Sequence, residues 1–239
     1  MQIAPAVLER HRIAALANDD TADAFRLLRT QVLMQMRQKG WQTVALTSPN
    51  KGVGKSTLAL NLALSFAMEV DHTALLVDAD LRDPDVGALL ELPPSPGLAD
   101  YLVGSGAIED LLIHPGIGNL VILPGGSPVA NTSELLRSPM MSDLVTELRG
   151  RYSDRLIVFD VPPILAGADT LALSAYVDAT ILVVEEGRTT PEDFSRAREL
   201  LAGCTVMGIV LNKSRNAASP DAPRRSWTSR LRAALGGTD

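Results

Sequence analysis

Three clusters of residues in this sequence could do chemistry. The first is Lys51-Gly52-Val53-Gly54-Lys55-Ser56-Thr57, preceded by Ser48-Pro49-Asn50. Glycines here let backbone N–H groups turn inward around phosphate oxygens, and the free N–H groups of a helix's first turn add positive potential. Lys55 can then reach the β and γ phosphates, and the Ser56 hydroxyl suits Mg²⁺. The spacing is that of a phosphate-binding loop, GxxxxGK[ST], with Pro49 at the first glycine position. The second cluster is Asp78 and Asp80, two carboxylates at alternate positions after an apolar run; strand alternation predicts that both leave the sheet on one side. The third is Asp160, directly after Leu156 to Phe159, placed to reach Mg²⁺ or an attacking group. All three clusters suit phosphoryl transfer, with Asp78 and Asp80 able to bind Mg²⁺ through its waters or accept a proton.

The elements that must position these groups follow from periodicity. Six short apolar runs read as strands, at 43–47, 74–77, 120–123, 156–159, 180–185 and 206–211. They alternate with helical patterns, which predicts an α/β fold with a doubly wound, mostly parallel sheet and a ligand at its carboxyl edge. Residues 1–20 read as an N-terminal arm ending in the helix-entry signal Asn18-Asp19-Asp20. An amphipathic helix follows from Thr21 to about Lys39, with Ala24, Leu27, Leu28, Val32 and Met36 at helical spacing and Arg26, Arg29 and Arg37 on the other face. The helix after the phosphate loop is expected to stop near Asp71, and Ser138-Pro139 to start another. Asp169 is expected to cap the helix of residues 171–175. Asn212 and Lys213 leave the last strand at the same edge, placed to meet a nucleotide base or to form an exposed turn.

Bulk composition excludes several classes. A formal net charge of -6 over 239 residues leaves no basic excess for generic nucleic-acid binding. Cys204 is the only cysteine, so there is no internal disulfide or thiolate metal cluster, and before an apolar run it reads as core. The N-terminus carries Glu9-Arg10-His11-Arg12 where a secretory leader needs apolar residues, and no run is long enough to span a membrane. A cytoplasmic location is expected, with peripheral contact at the inner face of the plasma membrane if the basic tail, residues 214–239, lays Trp227, Leu231 and Leu235 on an anionic surface. A solvated tail is the default for so short a segment.

These motifs resemble the bacterial tyrosine kinases of capsule and exopolysaccharide export, within the deviant Walker group of P-loop NTPases that includes the Min and Par ATPases. The resemblance covers residues 23–213 and rests on the phosphate loop, the LLVDADLR stretch at 75–82, IVFDVPP at 157–163 and DAFRLLRT at 23–30. By overall phrasing the likeness is greatest to exosortase-associated autokinases. It implies ATP and Mg²⁺ as cofactors, Lys55 and the loop amides on phosphates, Ser56, Asp80 and Asp160 on the metal, and Asp78 as base for the tyrosine hydroxyl. It further implies a transmembrane co-polymerase as activator, expected on a separate chain, and self-association through Asp23, Arg26 and Arg29. Residues 214–239 hold no tyrosine, so either the acceptor lies on another protein or the chain is not an autokinase. Two other classes stay open: a Min or Par type ATPase switch with a membrane-touching tail, for which Lys51 and Val53 in the loop speak, and a nucleotide-binding regulator of polymer length without kinase activity.

Overall fold

The computed structural model describes residues 3–17, 19–151 and 154–214. Six strands appear where the apolar runs predict them: β1 (Thr43–Thr47), β2 (Thr73–Asp78), β3 (Leu120–Leu123), β4 (Arg155–Asp160), β5 (Ala179–Glu185) and β6 (Val206–Asn212). They form one sheet in the order β3-β2-β4-β1-β5-β6, with every pair of neighbours parallel. Parallel strands need covered faces, and alternation along each strand divides the side chains between two layers. Val44, Leu46, Leu76 and Val158 face one layer, while Ala45, Leu75, Val77 and Phe159 face the other.

The first layer holds the N-terminal half. Helix α1 (Pro5–Arg10) lies in the predicted arm, α2 (Asp20–Lys39) follows, and α3 (Lys55–Ala67) leaves the phosphate loop. Asp19 caps α2 by accepting from the Ala22 N–H at 2.9 Å, and Gly40, in the left-handed region at φ 68°, ends it. The buried stripe of α2 is Ala22, Val32, Leu33 and Met36, so Ala24 and Leu27, expected on the apolar face, are exposed instead. Helix α3 ends four residues before the expected Asp71 and is buried almost all round, because the sheet covers one side and the arm and α2 the other. The arm is therefore packed structure: Ile13 is buried, and the Asn61 amide of α3 accepts from the Ala15 N–H (2.8 Å) and donates to the Arg12 carbonyl (3.2 Å).

Short helices α4 (Val86–Leu89), α5 (Leu98–Leu102), α6 (Ile108–Leu111) and α7 (Thr132–Leu136) lie between the second and fourth strands, followed by α8 (Pro139–Gly150), capped by Ser138 through the Met141 N–H. Helix α9 (Asp169–Ser174) precedes β5, and α10 (Pro191–Leu200) packs Phe194 and Ala197 on Leu182 and Val184. Cys204 is half-buried against that small cluster, as expected of a packing residue. Asp169 corrects an expectation. It is the first residue of α9, its side chain caps nothing, and its buried carboxylate accepts from Arg82 Nε (2.7 Å) and Thr132 Oγ1 (2.8 Å). Two charge-assisted partners brought by tertiary contact outweigh one local N–H. The expected basic tail lies outside the described residues apart from Ser214, as do Asn18 and Tyr152.

Candidate active site

The site forms where β1, β4 and β2 end side by side. Register places Leu46 beside Asp160 and Asp160 beside Asp78, so the acidic strand ends are lateral neighbours. The loop after β1 bends over them with Gly52 at φ 79° and Gly54 at φ 87°, left-handed conformations that a side chain would strain. Its cavity, of about 360 Å³, is lined by Lys51, Gly52, Gly54, Lys55, Ser56, Thr57, Asp80 and Lys213 among others, at the first turn of α3.

Lys55 is buried across this cavity. Its Nζ contacts Asp160 Oδ1 in a short ion pair, lies 3.8 Å from Asp80 Oδ2, and donates to Ser56 Oγ at 3.3 Å. Asp160 Oδ2 is buried with no partner among the described residues. Burial, outweighing the pull of Lys55, raises the Asp80 carboxyl to about 6. Burial and then the Asp160 charge push Asp78 well above the usual carboxylate range, and burial also raises Asp85. One lysine thus faces an excess of buried negative charge. The partnerless oxygen of Asp160, with Asp80 and the Ser56 hydroxyl, forms an all-oxygen donor set that fits Mg²⁺ completed by phosphate oxygens and water.

Asp78 and Asp80 do not leave on one side, because β2 ends at Asp78 and alternation ends with it. Asp80 lines the phosphate cavity. Asp78 turns to a second cavity beside Pro84, Gly87 and Gly125, and its two oxygens accept the N–H groups of Asp80 (3.2 Å) and Val86 (3.0 Å). Val53 contributes only backbone to the loop, its side chain being core. Lys51 pairs with Asp83 at 2.9 Å on the rim. The Asn212 and Lys213 side chains reach loop carbonyls: Asn212 Nδ2 donates to Val53 O at 2.8 Å, and Lys213 Nζ to Gly52 O at 2.7 Å. Asp23 and Arg26 pair with each other on α2, away from this cavity, and Arg29 pairs with Glu69 at 3.0 Å.

Sequence reasoning missed Glu185, Arg188, Asp83 and Asp85. Glu185 carried a readable signal, an acid at a strand's carboxyl end, the same signal that marked Asp78 and Asp160.

Comparison with known proteins agrees with this geometry. Residues 41–225 match the ParA family, described as NUBPL iron-transfer P-loop NTPase. The chain is 34% identical over 193 residues to the tyrosine-protein kinase YwqD of Bacillus subtilis (strain 168), covering 80% of each. It is also 34% identical over 215 residues to EpsB of Ralstonia solanacearum, where it spans 28% of that longer protein. Its structure superposes on the kinase domain of the Escherichia coli tyrosine kinase ETK with a TM-score of 0.79 at 28% identity, covering 90% of this chain and 84% of that one. With the family match spanning residues 41–225, which hold the phosphate loop and the acidic strand ends, and with 34% identity to YwqD over four-fifths of each chain, the chain belongs to the bacterial tyrosine kinases within the ParA-like P-loop NTPases.

Proposed function

We propose that this chain transfers the γ-phosphoryl group of ATP to a tyrosine hydroxyl of a protein, and that it does so in exopolysaccharide production with a transmembrane co-polymerase as activating partner. The observation that carries the reading is Lys55, buried between Asp160 and Asp80 at the mouth of the phosphate loop, in a chain of this family. The loop N–H groups and Lys55 hold the phosphates, with Gly52 and Gly54 giving them a close backbone approach. Lys55 then exchanges an aspartate partner for the γ-phosphate, whose charge grows on its outer oxygens during transfer. Ser56, Asp80 and Asp160 would hold Mg²⁺, which would supply neutralisation of the phosphate charge. The tyrosine oxygen bonds to phosphorus while the bond to the bridging oxygen breaks, its electron pair leaving on ADP. Asp78 is the group proposed to take the phenolic proton. Its carboxylate is buried and accepts the Val86 N–H, so the acceptor's approach requires that contact to open.

The base is proposed to enter an adjoining cavity of about 420 Å³, lined by Phe25, Leu28, Leu58 and Leu211, which meets the phosphate cavity at Lys213. Self-association is proposed through α2. Among the described residues no helix is long and apolar enough to cross a membrane, so the proposed membrane link runs through the partner or the tail.

Incubation with labelled ATP, Mg²⁺ and a membrane fraction should label protein tyrosine, and Lys55→Met should abolish the label. ATP hydrolysis without phosphotyrosine would sink the kinase reading in favour of an ATPase switch.

A further inference from the structure

The carbonyls of the phosphate loop are gripped by polar side chains from the turn after β5 and from the end of β6. The Gly52 carbonyl accepts from Arg188 Nη1 at 3.1 Å and from Lys213 Nζ at 2.7 Å. The next carbonyl, that of Val53, accepts from Asn212 Nδ2 at 2.8 Å. Glu185 ties the two cations together, its Oε2 lying 3.3 Å from Arg188 Nη1 and 3.1 Å from Lys213 Nζ. Lys213 adopts φ 54°, a left-handed conformation rare for a residue with a side chain.

In a trans peptide the C=O and the following N–H point in opposite directions. All peptides here are trans. Drawing the Gly52 carbonyl outward therefore turns the Val53 N–H inward, and drawing the Val53 carbonyl outward turns the Gly54 N–H inward. Successive inward N–H groups make an anion-binding concavity. Neither Arg188 nor Asn212 lines the phosphate cavity; Arg188 reaches the loop at the Gly52 carbonyl, and Asn212, which lines the adjoining cavity, reaches it at the Val53 carbonyl. The glycines admit this grip: a Cβ on Gly52 would stand 2.9 Å from Arg188 Nη1, and one on Gly54 would stand 2.5 Å from Asn212 Nδ2.

We propose that Arg188, Lys213 and Asn212, oriented by Glu185, are positioning residues that hold the phosphate loop's N–H groups aimed at phosphate before nucleotide arrives. The proposal rests on the phosphate-loop reading above. It assigns Gly52 and Gly54 a second role, as the positions where the grip must come close. It also gives Glu185 a sign that runs against simple electrostatics. An anion near the site repels phosphate, so removing its charge should tighten binding unless the carboxylate is needed to orient the cations.

The test is the affinity of the full chain for Mg-ADP and for pyrophosphate, measured by calorimetry. Arg188→Ala combined with Asn212→Ala should weaken both ligands alike, by about tenfold, with the melting temperature held within a few degrees. Arg188→Lys should keep most of the affinity that Arg188→Ala by itself loses, and Glu185→Gln should weaken both ligands by about threefold. Weaker ADP with unchanged pyrophosphate would overturn the proposal, since it would put these residues on the base or ribose. Unchanged affinities, or tighter binding by Glu185→Gln, would overturn it too. Lys55→Met leaves the grip untouched and separates the two failures. If it weakens both ligands while the grip variants do not, only the grip falls. If wild type binds neither ligand, or Lys55→Met changes nothing, the phosphate-loop reading falls and the grip with it.

Discussion

At the scale of single residues, the site keeps negative charge where burial disfavours it. Asp160 and Asp78 sit side by side at strand ends, Asp80 lies beside them, and Lys55 answers Asp160 and Asp80 from the cavity. Such an arrangement lowers the stability of the empty protein and favours ligands that bring cations. The sign follows from linkage. Asp80 titrates at about 6 in the folded chain, above its ordinary value near 3.9. Between those values the folded state binds more protons, so the Asp80 contribution to stability falls as pH rises through that window and stays low above it. Asp80→Asn is therefore expected to stabilise the empty protein by about 2 kcal/mol at pH 7.5 and to leave stability near pH 4 unchanged, as read by denaturant unfolding at both values. The same variant should lose Mg²⁺-dependent nucleotide binding. A variant less stable than wild type at pH 7.5 would show that Asp80 is held as an anion by more than Lys55.

At the scale of elements, the strand and helix boundaries were legible because each is written locally, in apolar runs of strand length and in caps such as Asp19 and Ser138. Besides the end of α3 and the exposed Ala24 and Leu27, what failed was the assignment of polar side chains to partners far along the chain. Asp169 looked like a cap, and its partner Arg82 is 87 residues away. Asp178 went unnoticed, yet its carboxylate accepts from the Gln42 N–H (2.8 Å), the Thr43 N–H (2.9 Å) and the Thr43 hydroxyl (2.9 Å), and pairs with Arg149. It thereby anchors the start of β1, the strand that delivers the phosphate loop. Burial alone would raise its pKa, but Arg149 and these donors hold it below the usual carboxylate value. A lowered folded value contributes stability above the unfolded value near pH 4, lost as pH falls through the folded one. Asp178→Ala should cost about 2–3 kcal/mol at pH 7, and the gap to wild type should close in acid. Asn61→Ala should likewise cost about 1–3 kcal/mol and expose Ile13, seen as faster amide exchange confined to the arm and α3. Protection unchanged across residues 3–17 would show that the arm is held by its apolar contacts alone.

At the scale of the whole molecule, α2 presents two unlike faces. Its inner stripe is core, while Leu27 and Met34, one heptad apart, stand 61% and 67% exposed beside Asp23 and Arg26. Arg29 already answers Glu69 within the chain, so self-association through this helix is expected to depend on Leu27 and Met34 as much as on the arginines. Leu27→Glu with Met34→Glu should lower the mass in solution without lowering the melting temperature; an unchanged mass would remove this face from the interface. The sequence by itself determined that six parallel strands carry a phosphate loop and acidic strand ends to one edge, because periodicity, glycine placement and strand-end residues are local properties of the chain. The tertiary structure alone decided that Asp78 and Asp80 face different cavities, that Asp169 serves Arg82, that the arm is packed on α3, and that Asn212 and Lys213 grip the loop. These outcomes depend on where β2 stops and on which distant polar groups meet once the sheet is assembled. Pairing energies between remote residues exceed the local preferences that spacing can reveal.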